Sequence, residues 1–142
     1  MILPDVNLFI YAVNQDAPLH RQAKSWLEEA LSGPETVGLS WLVLLAFLRV
    51  STRPGAFTIP LSPQTAFDLV DTWLAAPATV IVEPTAQHPR LLRDLLSATG
   101  TAGNLTSDAH LAALAIAYNA ELCSADSDFQ RFPRLRYRNP LQ

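Results

Sequence analysis

Two short apolar runs at opposite ends of the chain, Ile2 to Pro4 and Glu121 to Ser124, each stop just before an acidic stretch, at Asp5 in the first case and Asp126 in the second. Short buried strands that alternate with helices pair in parallel, and ligands of an open parallel sheet bind outside the carboxyl ends of its strands. Asp108, near the start of a helix, and Asp128, two residues past Asp126, bring two more acids toward the same place. Four anionic groups held close repel one another, and a cation is the ordinary way to make that arrangement tolerable. Hard cations take oxygen ligands, and Mg²⁺ in particular takes a few carboxylates plus water and phosphate. The pattern points to a metal-dependent, phosphate-handling enzyme.

The elements between these runs support an α/β fold. Leu8 to Ala12 starts a helix, and His20 to Leu31 is amphipathic, with Ala23, Trp26, Leu27 and Ala30 on one face. Val37 to Leu39 is a second strand. Ser40 caps a helix from Trp41 to about Ser51 that is apolar on nearly every side. Arg53-Pro54-Gly55 turns the chain, and Ser62-Pro63 opens a helix to about Ala75 with Pro at its first position. Thr79 to Val82 is a β-branched strand and Leu91 to Ala98 a helix. Thr99 to Asn104 is a mobile loop, and Thr106 caps a helix from Ser107 to Tyr118 that ends on a left-handed Asn119. Strands alternating with helices imply a mainly parallel sheet covered on both faces. The 142 residues form one domain, 1–142, with no repeat or linker.

Composition narrows the partners. A formal net charge of −3 argues against non-specific coating of nucleic acid, while nine of the ten basic residues are Arg, and Arg131, Arg134, Arg136 and Arg138 crowd the acidic end of the chain. One cysteine, Cys123, allows no internal disulfide and fits a reducing compartment. The longest apolar run, Trp41 to Val50, is too short for a bilayer and is broken by Arg49, and the amino end shows no leader, so the expectation is a soluble, cytoplasmic protein without membrane contact.

Each acid also has a local explanation. Asp favours turns and helix starts, Asp108 suits a helix dipole, and Asp126 or Asp128 can cap a short helix through Gln130. For one aspartate that account is preferred; for four at strand ends the odds reverse. Asn7, two residues after Asp5, can orient that carboxylate, and Ser124 can hydrogen-bond it or a phosphate. Arg49, Arg53 and the tail arginines, Arg136 among them, are expected to contact RNA or a protein partner. Other chemistries lack parts: there is no phosphate-binding Gly-rich loop, no glycine-flanked serine elbow, a single lysine at Lys24, and too few Cys and His for zinc.

The segments Asp5-Val6-Asn7, Thr106 to Ala115, Ser124-Ala125-Asp126-Ser127-Asp128-Phe129 and Arg138-Asn139-Pro140-Leu141 resemble a PIN-domain ribonuclease of the VapC toxin type, over nearly the whole chain. The resemblance implies a Rossmann-like three-layer α/β/α PIN domain with Mg²⁺ or Mn²⁺ between its acids. It also implies endonucleolytic cleavage of RNA leaving a 5′-phosphate and a 3′-hydroxyl, and inhibition by a cognate antitoxin. Asp5, Asp108 and Asp126 match the family's acidic, catalytic ligands, and Asp128 is a further ligand or a support for one. The apolar excess and the resemblance both suggest a homodimer.

One departure stands out. PIN nucleases usually carry a glutamate on the helix that here reads Leu45-Ala46-Phe47-Leu48-Arg49, and Ala46 occupies its place, with no other acid between Glu35 and Asp68. Two alternatives stay open: a catalytically weakened PIN-like module that binds RNA or an antitoxin, and a metal-dependent DNA nuclease.

Overall fold

A computed structural model describes residues Met1 to Gln142. Five short strands, β1 (Ile2–Pro4), β2 (Val37–Leu39), β3 (Thr79–Ile81), β4 (Glu121–Cys123) and β5 (Tyr137–Arg138), form one sheet in the order β3-β2-β1-β4-β5, every neighbouring pair parallel. Helices α1 (Val6–Val13) and α2 (His20–Ser32) connect β1 to β2, and α3 (Trp41–Ser51) and α4 (Pro63–Ala75) connect β2 to β3. Helices α5 (His88–Thr99) and α6 (Thr106–Ala117) carry the chain back to β4. Such crossovers are right-handed, so α1 to α4 lie on one face of the sheet and α5 and α6 on the other. The helix packing agrees: α1 meets α2 and α3, α3 meets α4, and α5 meets α6. This is the expected three-layer α/β/α arrangement, with a sheet that is wholly parallel.

The strand order reverses between β1 and β4, which is the switch point where open α/β sheets gather ligands. There Leu3 pairs with Leu122 and Pro4 with Cys123, and the Asp5 N–H donates to the Cys123 carbonyl at 2.9 Å. The register brings Asp5 and Ser124 off the sheet side by side. All three residues of β1 and of β2 are buried, as short apolar runs in a doubly covered parallel sheet must be. Beneath the cleft face, Trp73 of α4 packs on Phe9 of α1 and Phe47 of α3, with ring centroids 4.6 and 4.7 Å away, and ties three helices into one core. On the other side α6 buries Ala109 and every residue from Leu111 to Ala115.

Several boundaries shift for local reasons. Helix α1 begins at Val6 rather than Leu8, because the Asp5 side chain accepts the Val6 N–H at 2.7 Å and caps it. Helix α5 begins at His88 rather than Leu91, with Pro89 in its first turn, where the missing N–H costs nothing. Thr106 is the first residue of α6 and not its cap; Leu105, which ends a 3₁₀ turn from Gly103, precedes it without a capping side chain. The segment expected to be a mobile loop contains the first two residues of that turn and Gly100, whose φ of 72° closes α5. Asn119 is left-handed as expected, with φ 51°. The pairing of β5 with β4 is an addition to the expected elements. Of the tryptophans, Trp73 is core and Trp26 packs partly against it, whereas Trp41 is exposed.

Candidate functional site

Asp5 is only 9% exposed, and its carboxylate is held from three directions. One oxygen takes the Val6 N–H; the other accepts the Ser124 hydroxyl at 2.8 Å and the Asn7 amide at 3.3 Å. The same Asn7 amide donates to Ser124 Oγ at 3.0 Å, and Asn7 Oδ1 accepts the Ala125 N–H at 3.2 Å. Asn7 and Ser124 thus lock the end of β4 to the start of α1. Burial pushes the Asp5 carboxyl above the ordinary carboxylate range, the hydrogen bonds from Ser124 and Val6 oppose it, and the nearby charge of Asp126 adds to the rise.

Asp126 reaches the same corner from the other strand end. Its N–H donates to Ser124 Oγ at 3.0 Å, and its Oδ1 accepts the Asp128 N–H at 2.9 Å, capping a 3₁₀ turn over Ser127–Arg131. The local explanation for this residue is therefore correct as far as it goes, and one oxygen is committed to the cap. Asp128, two residues further on, is exposed. Asp108 faces these acids from the first turn of α6. Its carboxyl is raised to about 6, first by burial and then by the charges of Asp5, Asp126 and Asp128 in that order. A helix N-terminus alone would favour the ionised form, so burial, joined by the crowding of negative charge, outweighs it.

The four aspartates thus converge electrostatically from three parts of the chain. They do not form a closed cage: no three Asp, Glu, His or Cys side chains stand together in chelating geometry. A carboxylate set this open suits a largely hydrated ion such as Mg²⁺, which dehydrates reluctantly and is held through one or two carboxylates plus water. A cleft of about 200 Å³ opens beside Asp5 and Asp108 and is lined across from them by Leu42, Val43, Ala46 and Arg49 of α3. Ser40 aims that helix by accepting the Leu42 N–H at 3.2 Å. Ala46 thus faces the acids, and α3 contributes none.

The arginines divide. Arg49 lines the cleft, whereas Arg53 lies exposed in the turn after α3. Arg136 stands at the opposite end of the strands, donating to the Asn119 carbonyl, while Arg138 pairs with Glu121 at 2.8 Å and Arg134 with Asp94 at 3.9 Å. Cys123 is fully buried, its thiol pushed up to about 12 by burial, and takes no part in the site.

Sequence reasoning missed Tyr137, whose hydroxyl donates to the Ser124 carbonyl at 3.1 Å, and the backing of β4 by β5, in which the Ser124 N–H donates to the Arg138 carbonyl at 3.1 Å. Leu135 and Tyr137 alternate with Arg136 and Arg138, but a strand of two residues is too short for that alternation to identify it. It also missed the pairing of His88 with His110, whose Nε2 and Nδ1 stand 2.9 Å apart and join α5 to α6 two residues from Asp108; His110 itself, on another face of the helix from Asp108, had little claim as a general base.

Comparison with known proteins places this geometry. The PIN domain family matches residues 2–135. Ribonuclease VapC37 of Mycobacterium tuberculosis is 45% identical over 140 residues, covering 99% of this chain and 97% of that protein. Ribonuclease VapC33 of the same organism is 38% identical over 142 residues, covering 100% and 99%. The chain belongs to the PIN-domain family and, within it, to the VapC ribonucleases. Among solved structures, a chain of VapBC2 from Rickettsia felis, bound to a promoter DNA fragment, superposes with a TM-score of 0.68 at 24% identity, covering 98% of both chains. A chain of DNA-bound VapBC from Salmonella typhimurium gives 0.67 at 16% identity, covering 98% and 97%. These two likenesses show the fold.

Two outcomes test the site. Ser124→Ala removes the hydroxyl that serves Asp5, Asp126 and Asn7 in a fully buried position, and is expected to lower unfolding free energy in urea by about 1–3 kcal/mol; an unchanged midpoint would show that these bonds do not brace the corner. Asp108 ties stability to pH in metal-free protein. Its carboxyl is raised in the folded chain, so the native state holds a proton that the unfolded chain releases; the contribution is complete below the ordinary 3.8 and is lost as pH rises through about 6. Urea unfolding in chelator across that window should show Asp108→Asn with a flatter pH dependence than the parent.

Proposed function

We propose that this chain is an endoribonuclease, the toxin of a toxin–antitoxin pair, acting in the cytoplasm with Mg²⁺ or Mn²⁺ and restrained by a cognate antitoxin. The observation that carries the reading is the placing of Asp5 and Asp108 on one cleft at the sheet's switch point, with Asp126 tied to Asp5 through Ser124, in a chain 45% identical over nearly its whole length to a protein named a ribonuclease. The VapBC assemblies among its structural relatives support an antitoxin as partner.

In this reading Asp5, Asp108 and Asp126 hold the ion, and Asp128 supports them. When bound, such an ion neutralises charge on the phosphoryl oxygens and makes water a better nucleophile. Ser124, Asn7 and the Val6 N–H fix the Asp5 carboxylate before any substrate arrives, which removes a reorganisation cost at the moment of reaction. Leu42, Val43 and Leu111 give the cleft an apolar side, which lowers the local dielectric around the charges beside it. The homodimer is supported by Trp41 and Leu45, exposed one turn apart on α3, at 39% and 56% of their surface.

A second reading is favoured by Ala46 and by the open carboxylate set: a module that binds RNA or antitoxin without cutting. Cleavage assays on structured RNA and on single-stranded DNA separate the readings. The expected result is RNA cleavage that needs Mg²⁺ or Mn²⁺ and falls by at least about 100-fold in Asp5→Asn and Asp108→Asn, the scale of losing a charge-stabilising group at a reacting centre. No cleavage, together with no measurable Mn²⁺ affinity, selects the binding module, and preference for DNA selects the other nuclease. Sedimentation should give a dimer that Leu45→Glu dissociates; a monomeric parent removes that part of the proposal.

A further inference from the structure

The cleft has two unlike walls. Asp5 and Asp108 form one, and α3 forms the other, apolar at Leu42, Val43 and Ala46 and cationic at Arg49. Arg49 is exposed and lines the same cleft as two carboxylates, yet it makes no ion pair; the chain's four ion pairs use Met1, Lys24, Arg134 and Arg138. On α3 the residue three positions earlier, on the same face, is the natural place for an acid that would neutralise it. That residue is Ala46. A guanidinium left free at the mouth of an acidic cleft has its fork of donors available, and that fork matches two oxygens of a phosphate.

The size of the cleft limits what can accompany the phosphate. At about 200 Å³ it is smaller than the roughly 300–1,000 Å³ of pockets that enclose drug-sized ligands. A single nucleoside can rest against Leu42 and Ala46, whereas a helix cannot enter. A base reaches such a wall only when it is unpaired and unstacked, the state in which loops and single strands of RNA are recognised.

We propose that Arg49 grips the phosphate of one unpaired nucleotide, whose sugar and base lie on the apolar wall beside Ala46, so that the cleft selects looped or single-stranded RNA at that nucleotide. The identity of the ligand as RNA rests on the ribonuclease reading; the grip itself needs neither metal nor cleavage. Arg49 is in this sense a substrate-positioning residue, set opposite the carboxylates rather than among them.

The test measures binding apart from cutting. Fluorescence anisotropy of a labelled single-stranded RNA, and of the same sequence as a duplex, is followed against salt in chelator with Asp108→Asn protein, with and without a second substitution at Arg49. Arg49→Ala is expected to weaken single-strand binding about tenfold, the loss of one charge-assisted contact, and to make the slope of log affinity against log salt shallower by about 0.7, the value for one phosphate on a single strand. Arg49→Lys should restore the slope but only part of the affinity, because the charge remains while the two-pronged geometry is lost. Duplex binding should be indifferent to both. Equal affinity and slope for Arg49→Ala and its parent overturns the proposal, as does an equal loss on duplex. If Arg49 governs binding but the unsubstituted protein never cuts RNA, the ribonuclease reading fails and the grip stands; if the protein cuts RNA and binding ignores Arg49, the reverse holds.

Discussion

The hydrogen bond from the Ser124 hydroxyl to Asp5, 2.8 Å long and fully buried, joins residues 119 positions apart and fixes how the two halves of the chain meet. A carboxylate that is 9% exposed is tolerated only when its lone pairs are satisfied. Asp5 meets that condition with a helix N–H, a hydroxyl and an amide, and in doing so ends β1, starts α1 and presents a charge to the cleft. The parallel register of β1 against β4 is what delivers Ser124 to it. A one-residue slip would bury Asp5 without a partner and send Ser124 to the other face of the sheet.

Much of this could be read in the residues, and the reason is the chemistry of parallel sheets. Strands buried on both faces show as uninterrupted apolar runs, so Ile2 to Pro4 and Val37 to Leu39 stand out, and an acid directly after such a run marks the carboxyl edge. Helix starts with a side-chain cap were equally legible at Ser40 and Ser62, because the cap is a local bond between neighbours. Thr106 misled for the converse reason. A preceding 3₁₀ turn already supplies the helical entry, and no side-chain cap is made. β5 is two residues long and exists only through its pairing with β4, which no local pattern of that length announces.

The fine structure of the acidic corner was less accessible still. That four aspartates approach one another follows from strand order; that Asp126 spends one oxygen on the Asp128 N–H, and that no three acids close around a point, follows from turn geometry. The tail arginines likewise divide by partners far along the chain: Arg138 takes Glu121, Arg134 takes Asp94, and Arg136 sits at the far end of the strands. Charge counts treat them alike. The fold does not.

β5 carries a consequence for the order of assembly. Its backbone and the Tyr137 hydroxyl hold Ser124 from behind, and Ser124 in turn holds Asp5. A growing chain that has already made Asp5, Asp108 and Asp126 still lacks that brace until residues 137 and 138 have left the ribosome and paired. The acids are thus made more than a hundred residues apart, and the corner they share becomes rigid only once β5 has paired with β4.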